Sequence, residues 1–252
     1  MRPDFSVIIP VFHEAPLIND TIGHVLDVST GRSMEILVVD GGPSGDTIQA
    51  IRNGTIGTVI AEKGRGSQLN KGASLAKGEI LLFLHADTRL PARAFGRIAA
   101  AMSKREITAG AFRLAINSSR FAFRIIEKGA WYRSRFLGLP YGDQAIFIRR
   151  EDFLALGGFR NLPIMEDVDF MRRIRKKKGR VFILEEPIVT SARRWEGEGI
   201  LYCTLRNWSL LLLFFLGISP ERLLKLYPSL PQIASSSSRH GGSHSTHSIP
   251  RP

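Results

Sequence analysis

Three carboxylate residues follow apolar runs of the sequence, at points where buried strands would end. Glu14 follows FSVIIPVF, Asp40 closes MEILVVD and Asp87 closes EILLFLHAD. If the runs are neighbouring strands, the three acids converge at one sheet edge and repel each other unless a cation or hydrogen-bond donors lie among them. Such a site suits a divalent metal ion and a nucleotide. Taken singly, each acid also fits an ordinary role as a helix N-terminal charge, a turn former or a cap.

The elements that would position these acids alternate along the chain. Four runs rich in Val, Ile, Leu and Phe are typical of strands buried on both faces, and they cover residues 5–12, 34–40, 57–62 and 79–87. Segments with helical spacing lie between the first two and between the last two, and Gly78 is placed to end the second of these helices. The alternation predicts an α/β fold with a parallel sheet, in which ligands bind beyond the carboxyl ends of the strands.

Composition restricts the class of protein. A chain of 252 residues that is 44% hydrophobic can bury one sizeable core, and its net charge of +12 indicates an anionic partner such as nucleic acid, a membrane surface or a phosphorylated small molecule. The single cysteine, Cys203, excludes an intramolecular disulfide, and the sequence does not begin with a signal-peptide pattern. These observations predict a reducing, cytoplasmic location.

Five segments, in their order along the chain, resemble the family 2 glycosyltransferases of the GT-A fold. They are SVIIPVFHE, EILVVDGGPSGDT, GRGSQLNKGASLAKGEILLFLHADT, YGDQAIFIRRE and MEDVDF. The resemblance covers residues 5–195 and is nearest to small bacterial, single-domain members that carry HADT and end in RRW before an apolar helix. It implies a Rossmann-like, mainly parallel sheet flanked by helices. It also implies an inverting transferase, of the hexosyltransferase type, that uses a nucleoside-diphosphate sugar.

The resemblance implies a donor site when it is carried over position by position. Asp40 would accept a hydrogen bond from uracil or an equivalent base, which favours a UDP-linked sugar. The other residues implied around the nucleotide and sugar are Pro10, Val11, Glu14, Asp46, Arg65 and Gln68. For Arg65 and Gln68, ordinary chemistry at the start of a helix is the alternative.

Asp87 matches the last acid of the metal-binding Asp-X-Asp signature of the family. The match implies Mg²⁺ or Mn²⁺ held against the diphosphate, and oxygen ligands favour these ions over zinc. The chain departs from the signature because His85 stands where the first acid would be. His85 could ligate the metal, hydrogen-bond the sugar or be an ordinary strand residue, and the sequence leaves these options open.

The acidic segment MEDVDF offers the base that inverting transfer requires. Such a base takes the proton of the acceptor hydroxyl as its oxygen attacks the anomeric carbon from the face opposite the phosphate. Asp167 matches the family at this role, and Glu166 would assist it. Read alone, the segment fits equally well as the acidic first turn of a helix.

Two more segments are implied at the site. The resemblance places Asp143 and Gln144 on the acceptor and sugar side, with a plain loop-to-strand junction as the alternative. Arg193 and Arg194 could clamp a diphosphate while Trp195 stacks on a sugar, and the alternative is an exposed basic turn.

The apolar run WSLLLLFFLGI, residues 208–218, is too short to span a bilayer as a helix. It is either a core helix or part of an amphipathic segment on an anionic membrane, helped by the basic cluster at 172–180. The second option would place the protein on the inner face of the cell membrane and favour a lipid-linked acceptor. We therefore divide the chain into a transferase domain (1–195), an apolar or amphipathic helical segment (196–232) and a disordered low-complexity tail (233–252).

Two other classes of protein compete with this interpretation. A nucleotidyltransferase-like enzyme acting on sugar nucleotides should carry a glycine-rich loop directly after its first strand, where this chain has PVFHEAP. A basic nucleic-acid-binding protein would leave the carboxylates at the strand ends unexplained.

Overall fold

The structure of the protein is a computed structural model, and it describes residues 2–29 and 31–227. Within them, the strands are β1 (Phe5–Val11), β2 (Met34–Asp40), β3 (Gly57–Ile60), β4 (Ile80–Phe83), β5 (Thr88–Arg89), β6 (Ile107–Asn117), β7 (Phe147–Arg149) and β8 (Arg180–Ser191). The helices are α1 (Ala15–Val28), α2 (Asp46–Gln49), α3 (Arg65–Leu75), α4 (Ala94–Met102), α5 (Phe121–Leu137), α6 (Arg150–Ala155), α7 (Glu166–Lys176), α8 (Arg193–Glu198), α9 (Ile200–Phe215) and α10 (Pro220–Lys225). A short 3-10 turn covers Gly142–Gln144.

All of these strands pair into one sheet, in the order β3-β2-β1-β4-β7-β6-β8-β5. The half that contains β3, β2, β1 and β4 is parallel throughout. In the other half, β7 runs antiparallel to both β4 and β6, β5 runs antiparallel to β8, and β6 and β8 are parallel. The predicted α/β fold with a mainly parallel sheet flanked by helices is therefore confirmed.

The core lies on both faces of the sheet, which explains why the central strands read as unbroken apolar runs. In β1, Val7 and Ile9 face the cluster that packs under α1 and α4, whereas Ile8 faces the cluster that packs under α3 and α7. All three side chains are fully buried. The alternation fixes the register of the strand, because a slip of one residue would exchange the two faces.

The predicted strand at 79–87 is shorter in the structure, where β4 ends at Phe83. Leu84 still donates its N–H to the carbonyl of Ile8, and the chain then turns at His85, whose carbonyl accepts the N–H of Thr88. Asp87 therefore lies on a turn beyond the strand and not at its last position. The turn directs Asp87 into the space above the carboxyl ends of the sheet.

One contact between the C-terminal helices and the sheet domain is made by α7. Leu210, Leu211 and Phe214 of α9 pack with Leu223 of α10 and Val168 of α7 in one buried cluster. Among the described helices, none combines the length and the hydrophobicity that crossing a bilayer requires. Residues 228–232 of the predicted helical segment and the predicted tail at 233–252 lie outside the described residues.

Candidate active site

A cavity of about 600 Å³ opens above the carboxyl ends of β1 and β4. Its wall is built by the loops after these strands, the start of α3, the 3-10 turn, the N-terminus of α7 and helices α5, α8 and α9. The wall contains most of the site residues that the sequence predicts: Pro10, Val11, Glu14, Arg65, Gln68, His85, Asp87, Asp143, Glu166, Asp167, Arg193, Arg194 and Trp195.

Arg193 links two of the predicted carboxylates. Its guanidinium Nη2 lies 3.1 Å from Glu14 Oε1 and 3.7 Å from Asp87 Oδ2. Burial raises the pKa of Glu14, and the charge and hydrogen bond of Arg193 partly offset that effect. The first residue of α8 thus supplies the positive charge that converging acids need, and its planar donors face a cavity in which a diphosphate would be recognised.

His85 and Asp87 both line the cavity, and an imidazole and a carboxylate are donors that a divalent metal ion accepts. Burial, together with the positive charges of Arg65 and Arg194, lowers the pKa of His85 to about 3, so its imidazole is neutral and can ligate a metal. In the described part of the chain, no three His, Cys, Asp or Glu side chains are grouped to hold a metal by themselves. One carboxylate and one imidazole suit a cation that takes its remaining ligands from a substrate diphosphate and water.

The N-terminus of α7 presents Glu166 and Asp167 to the cavity. Met165, just before the helix, has a φ of 67°, in the left-handed region, and this turn aims both acids inward. The carboxylate of Asp167 accepts one hydrogen bond from Gly142 N–H (2.7 Å) and one from Val168 N–H (2.7 Å). Two backbone donors therefore fix the orientation of this carboxylate.

Glu166 is almost fully buried and pairs with Arg65, whose Nη1 lies 3.5 Å from Glu166 Oε1. Burial raises the pKa of Glu166, Arg65 opposes this effect and the neighbouring Asp167 adds to it. The pair joins the start of α3 to the start of α7. It therefore ties the side of the cavity that holds the predicted donor residues to the side that holds the predicted base.

Asp143 lines the cavity and carries one carboxyl oxygen without a partner. This oxygen, Oδ1, is buried and has no hydrogen-bond partner among the described residues. Burial raises the pKa of Asp143 to about 6, with Arg133 lowering it and Asp167 raising it further. An unpartnered buried oxygen at the cavity wall makes Asp143 a candidate for contact with a ligand hydroxyl.

The 3-10 turn that carries Asp143 comes very close to His85. A Cβ atom added at Gly142 would lie 2.9 Å from His85 Nε2, which is closer than real side chains come. Glycine at this position therefore lets the imidazole, the backbone donor for Asp167 and the Asp143 carboxylate share one small space.

Three of the predicted site residues lie outside the described cavity wall. Asp40 is fully buried, and its carboxylate accepts hydrogen bonds from Gly42 N–H (2.8 Å) and Thr47 N–H (3.2 Å). Asp46 pairs with His13, with 2.8 Å between Oδ2 and Nδ1, and this hydrogen bond lowers the pKa of Asp46. Both acids shape the loop after β2, so their predicted contacts with the nucleotide stay predictions.

Gln144 is the third predicted site residue outside the cavity wall, and its contacts indicate a positioning role. Its Oε1 accepts hydrogen bonds from Arg133, Ser134 and the backbone N–H of Tyr141, at 2.9, 2.9 and 3.2 Å. Its Nε2 donates to the carbonyl of Phe112 at 2.8 Å. The side chain is fully buried and ties the 3-10 turn to α5 and β6. Because Gln144 does not line the cavity, its predicted place on the acceptor and sugar side stays a prediction.

We expect Gln144→Ala to lower the free energy of unfolding by about 3 kcal/mol, because it leaves several buried donors and one carbonyl without partners. Chemical denaturation monitored by circular dichroism measures this change. Gln49→Ala is the matched control, since Gln49 is exposed and its side chain donates to the carbonyl of Ser44. The control should change stability by less than about 0.5 kcal/mol. Equal stabilities of the two variants would contradict the positioning role.

Sequence reasoning missed several residues of the cavity wall. Arg133 of α5 is buried, and its guanidinium stacks on the ring of Tyr141 at 3.2 Å from the ring centroid. Tyr227 hydrogen-bonds and stacks with Arg194, and Lys63 lies over the ring of Phe12. Tyr141 and Phe12 stand in the five family-like segments, whereas Arg133, Lys63 and Tyr227 stand outside them and reach the site only through the tertiary structure.

Comparison with solved structures shows the fold. A mannosyltransferase from Pyrobaculum calidifontis, solved with GDP-Man and Mn²⁺, superposes with a TM-score of 0.56 at 22% identity, over 75% of this chain and 57% of that one. S. aureus TarS in complex with UDP-GlcNAc superposes with a TM-score of 0.57 at 16% identity, over 75% of this chain and 58% of that one. Glucosyl-3-phosphoglycerate synthase from Mycobacterium tuberculosis, in complex with phosphoglyceric acid, superposes with a TM-score of 0.55 at 16% identity, over 73% of this chain and 70% of that one. The chain thus spans less than two thirds of the first two structures.

Sequence comparison gives the family. No curated protein matches the chain significantly. The model of the family described as "Glycosyl transferase family 2" matches residues 6–157, which is more than half of the 252 residues, and this region includes β1, β4 and the 3-10 turn of the cavity. The chain therefore belongs to glycosyl transferase family 2.

Proposed function

We propose that this protein transfers a sugar from a nucleoside-diphosphate sugar to an acceptor hydroxyl, with inversion at the anomeric carbon. The observation that carries the proposal is a cavity whose wall contains Asp87 with its ion-pair partner Arg193 and also the Asp167 carboxylate, which two backbone N–H groups hold in place. Family membership supports the reaction class. The relatives solved with GDP-Man and with UDP-GlcNAc support a nucleotide sugar as donor.

On the donor side, the guanidinium groups of Arg193, Arg194 and Arg65 would face the diphosphate. His85 and Asp87 would hold Mn²⁺ or Mg²⁺, and the bound ion would supply charge stabilisation for the leaving diphosphate. The relative solved with Mn²⁺ supports this assignment. The family resemblance favours a uridine-based donor, and a guanosine-based donor is the other outcome of the tests below.

On the acceptor side, Asp167 would act as the general base. The acceptor oxygen attacks the anomeric carbon, its proton passes to the Asp167 carboxylate, and the bond between the anomeric carbon and the diphosphate oxygen breaks with both electrons leaving on the diphosphate. Glu166 would keep Arg65 beside the donor, and Asp143 would accept a hydrogen bond from a hydroxyl of the sugar or the acceptor. The apolar part of the wall, which includes Ile126, fits a lipid-linked acceptor.

Hydrolysis of the donor tests the stereochemistry without a known acceptor. The purified chain is incubated with UDP- and GDP-linked sugars and Mn²⁺, and proton NMR identifies the anomer of the sugar that is released first. Water in the acceptor position should give the β anomer from an α-linked donor. Release of the α anomer would contradict an inverting mechanism with Asp167 as the base.

A further inference from the structure

Helices α5 and α9 each expose a stripe of large apolar side chains. On α5 the stripe contains Ile125, Tyr132 and Phe136, and on α9 it contains Leu205, Trp208 and Leu212. Each of these six side chains is more than half exposed. Their spacing of three, four or seven residues puts each set on one face of its helix. We call these six residues the α5–α9 surface.

The two stripes belong to one surface because the helices are neighbours. A Cβ atom added at Gly129 of α5 would lie 3.5 Å from the indole of Trp208 on α9. At the other end of α9, Ile200 packs against the buried cluster that contains Phe123 and Ala130 of α5. Contiguous exposed apolar area of this kind marks an interaction site.

The edge of the α5–α9 surface is basic. The guanidinium of Arg172 lies 5.8 Å from the ring centroid of Phe215 at the end of α9, and Arg172, Arg175 and Lys176 surround a small cavity together with Phe215. Arg175 also hydrogen-bonds the carbonyl of Leu137 at the end of α5. The basic cluster at 172–180 therefore borders both helices where they end.

Negative charge is nearly missing from the two helices themselves. The sequence of α9 contains no Asp or Glu, and that of α5 contains only Glu127, which pairs with Arg124 at 2.8 Å. An apolar face with a cationic border matches an anionic phospholipid bilayer, in which side chains such as Leu and Trp enter the interface while Arg and Lys meet the headgroups.

The α5–α9 surface adjoins the wall of the candidate active site. Trp208 lies on the α5–α9 surface and also lines the cavity, and Ile126 and Ala130 of α5 line the cavity as well. The same two helices therefore carry the apolar stripes and part of the cavity wall.

We propose that the α5–α9 surface binds an anionic phospholipid bilayer and brings the adjoining cavity close to the lipid. Binding of the bilayer does not depend on the proposed function. The delivery of a lipid-linked acceptor to the cavity does rest on that function. A hydroxyl carried on a lipid could reach Asp167 without leaving the membrane. A second copy of the chain is the less suitable occupant, because a two-fold interface through this face would bring two basic borders together.

The test uses the full chain and sedimentation with vesicles of phosphatidylcholine, either alone or mixed in equal parts with phosphatidylglycerol. Binding to the anionic vesicles should be at least about tenfold stronger, since each Arg or Lys near the surface contributes about a fivefold factor. The double variant Phe136→Glu/Leu212→Glu should weaken binding by about tenfold or more. Leu154→Glu, at a comparably exposed leucine on α6, is the control and should bind as the wild type does.

Two further measurements distinguish membrane binding from a defect in the donor site and from dimerisation. Titration of the double variant with nucleotide should give the wild-type affinity, so that a failure of membrane binding and a failure of the donor site are distinguished. The proposal is overturned if the wild type does not bind the anionic vesicles, or if the double variant binds them equally well. A wild-type dimer that this variant dissociates, detected by analytical ultracentrifugation, would assign the surface to a second copy and would also overturn the proposal.

Discussion

Replacing Asp167 with Asn should lower the rate of sugar transfer about 10²- to 10⁴-fold while the donor still binds. The amide keeps the shape of the side chain and can still accept the hydrogen bond from Gly142 N–H or from Val168 N–H. It cannot take a proton from the acceptor at neutral pH. The measurement pairs donor titration by calorimetry with the rate of nucleoside-diphosphate release.

A matched control for this variant is Asp20→Asn on α1. Asp20 is exposed and lies outside the cavity wall, so the control should keep both donor affinity and rate. Full turnover in Asp167→Asn would remove Asp167 from the role of base. Asp143 would then be the next carboxylate to test, because it shares the cavity and has an unpartnered oxygen.

Replacing Asp87 with Ala should abolish the increase in donor affinity that Mn²⁺ or Mg²⁺ provides. His85 alone offers a single neutral ligand, and Arg193 would remain with Glu14 as its nearest acid. Loss of metal stabilisation worth several kcal/mol corresponds to a fall of roughly a thousandfold in transfer rate. Calorimetric titration of the variant with and without the metal ion measures the first effect directly.

The matched control here is Asp4→Ala, which removes an exposed carboxylate near the start of β1. It should show the metal dependence of the wild type. If Asp87→Ala bound the donor as tightly as the wild type in the presence of the metal ion, the assignment of Asp87 to the metal would be wrong.

The sequence predicted the parallel half of the sheet well because the signals there are local. Unbroken apolar runs indicate strands buried on both faces, and the run 34–40 matches β2 residue for residue. The antiparallel strand β7 is only three residues long, and its partners β4 and β6 were not distinguishable from sequence. Pairing between distant segments depends on tertiary packing, which a single sequence does not display.

The site shows the same division between local and tertiary information. Four of the five family-like segments contribute to the cavity wall, and most of the named residues lie in it. The motifs did not indicate which polar side chains serve the protein itself. Asp40 binds two backbone N–H groups and Gln144 joins three elements, and these contacts form only when the loop after β2 and the 3-10 turn are folded.

The C-terminal segment was ambiguous for a related reason. The run 208–218 is apolar on every side, so periodicity cannot divide it into a buried face and an exposed face. In the structure, Leu210 and Phe214 pack against α10 and α7 while Trp208 and Leu212 remain exposed. The contribution of α5 to the same surface follows from the contact at Gly129, which sequence reasoning could not have found.

Calorimetric titration of the full chain with UDP- and GDP-linked sugars, in the presence and absence of Mn²⁺, would decide whether the cavity is a nucleotide-sugar site. We expect that one nucleotide class binds, that Mn²⁺ strengthens the binding, and that Asp87→Ala removes the metal-dependent part. A chain shown by circular dichroism to be folded that binds none of these donors with Mn²⁺ present would contradict the assignment of the cavity as a nucleotide-sugar site.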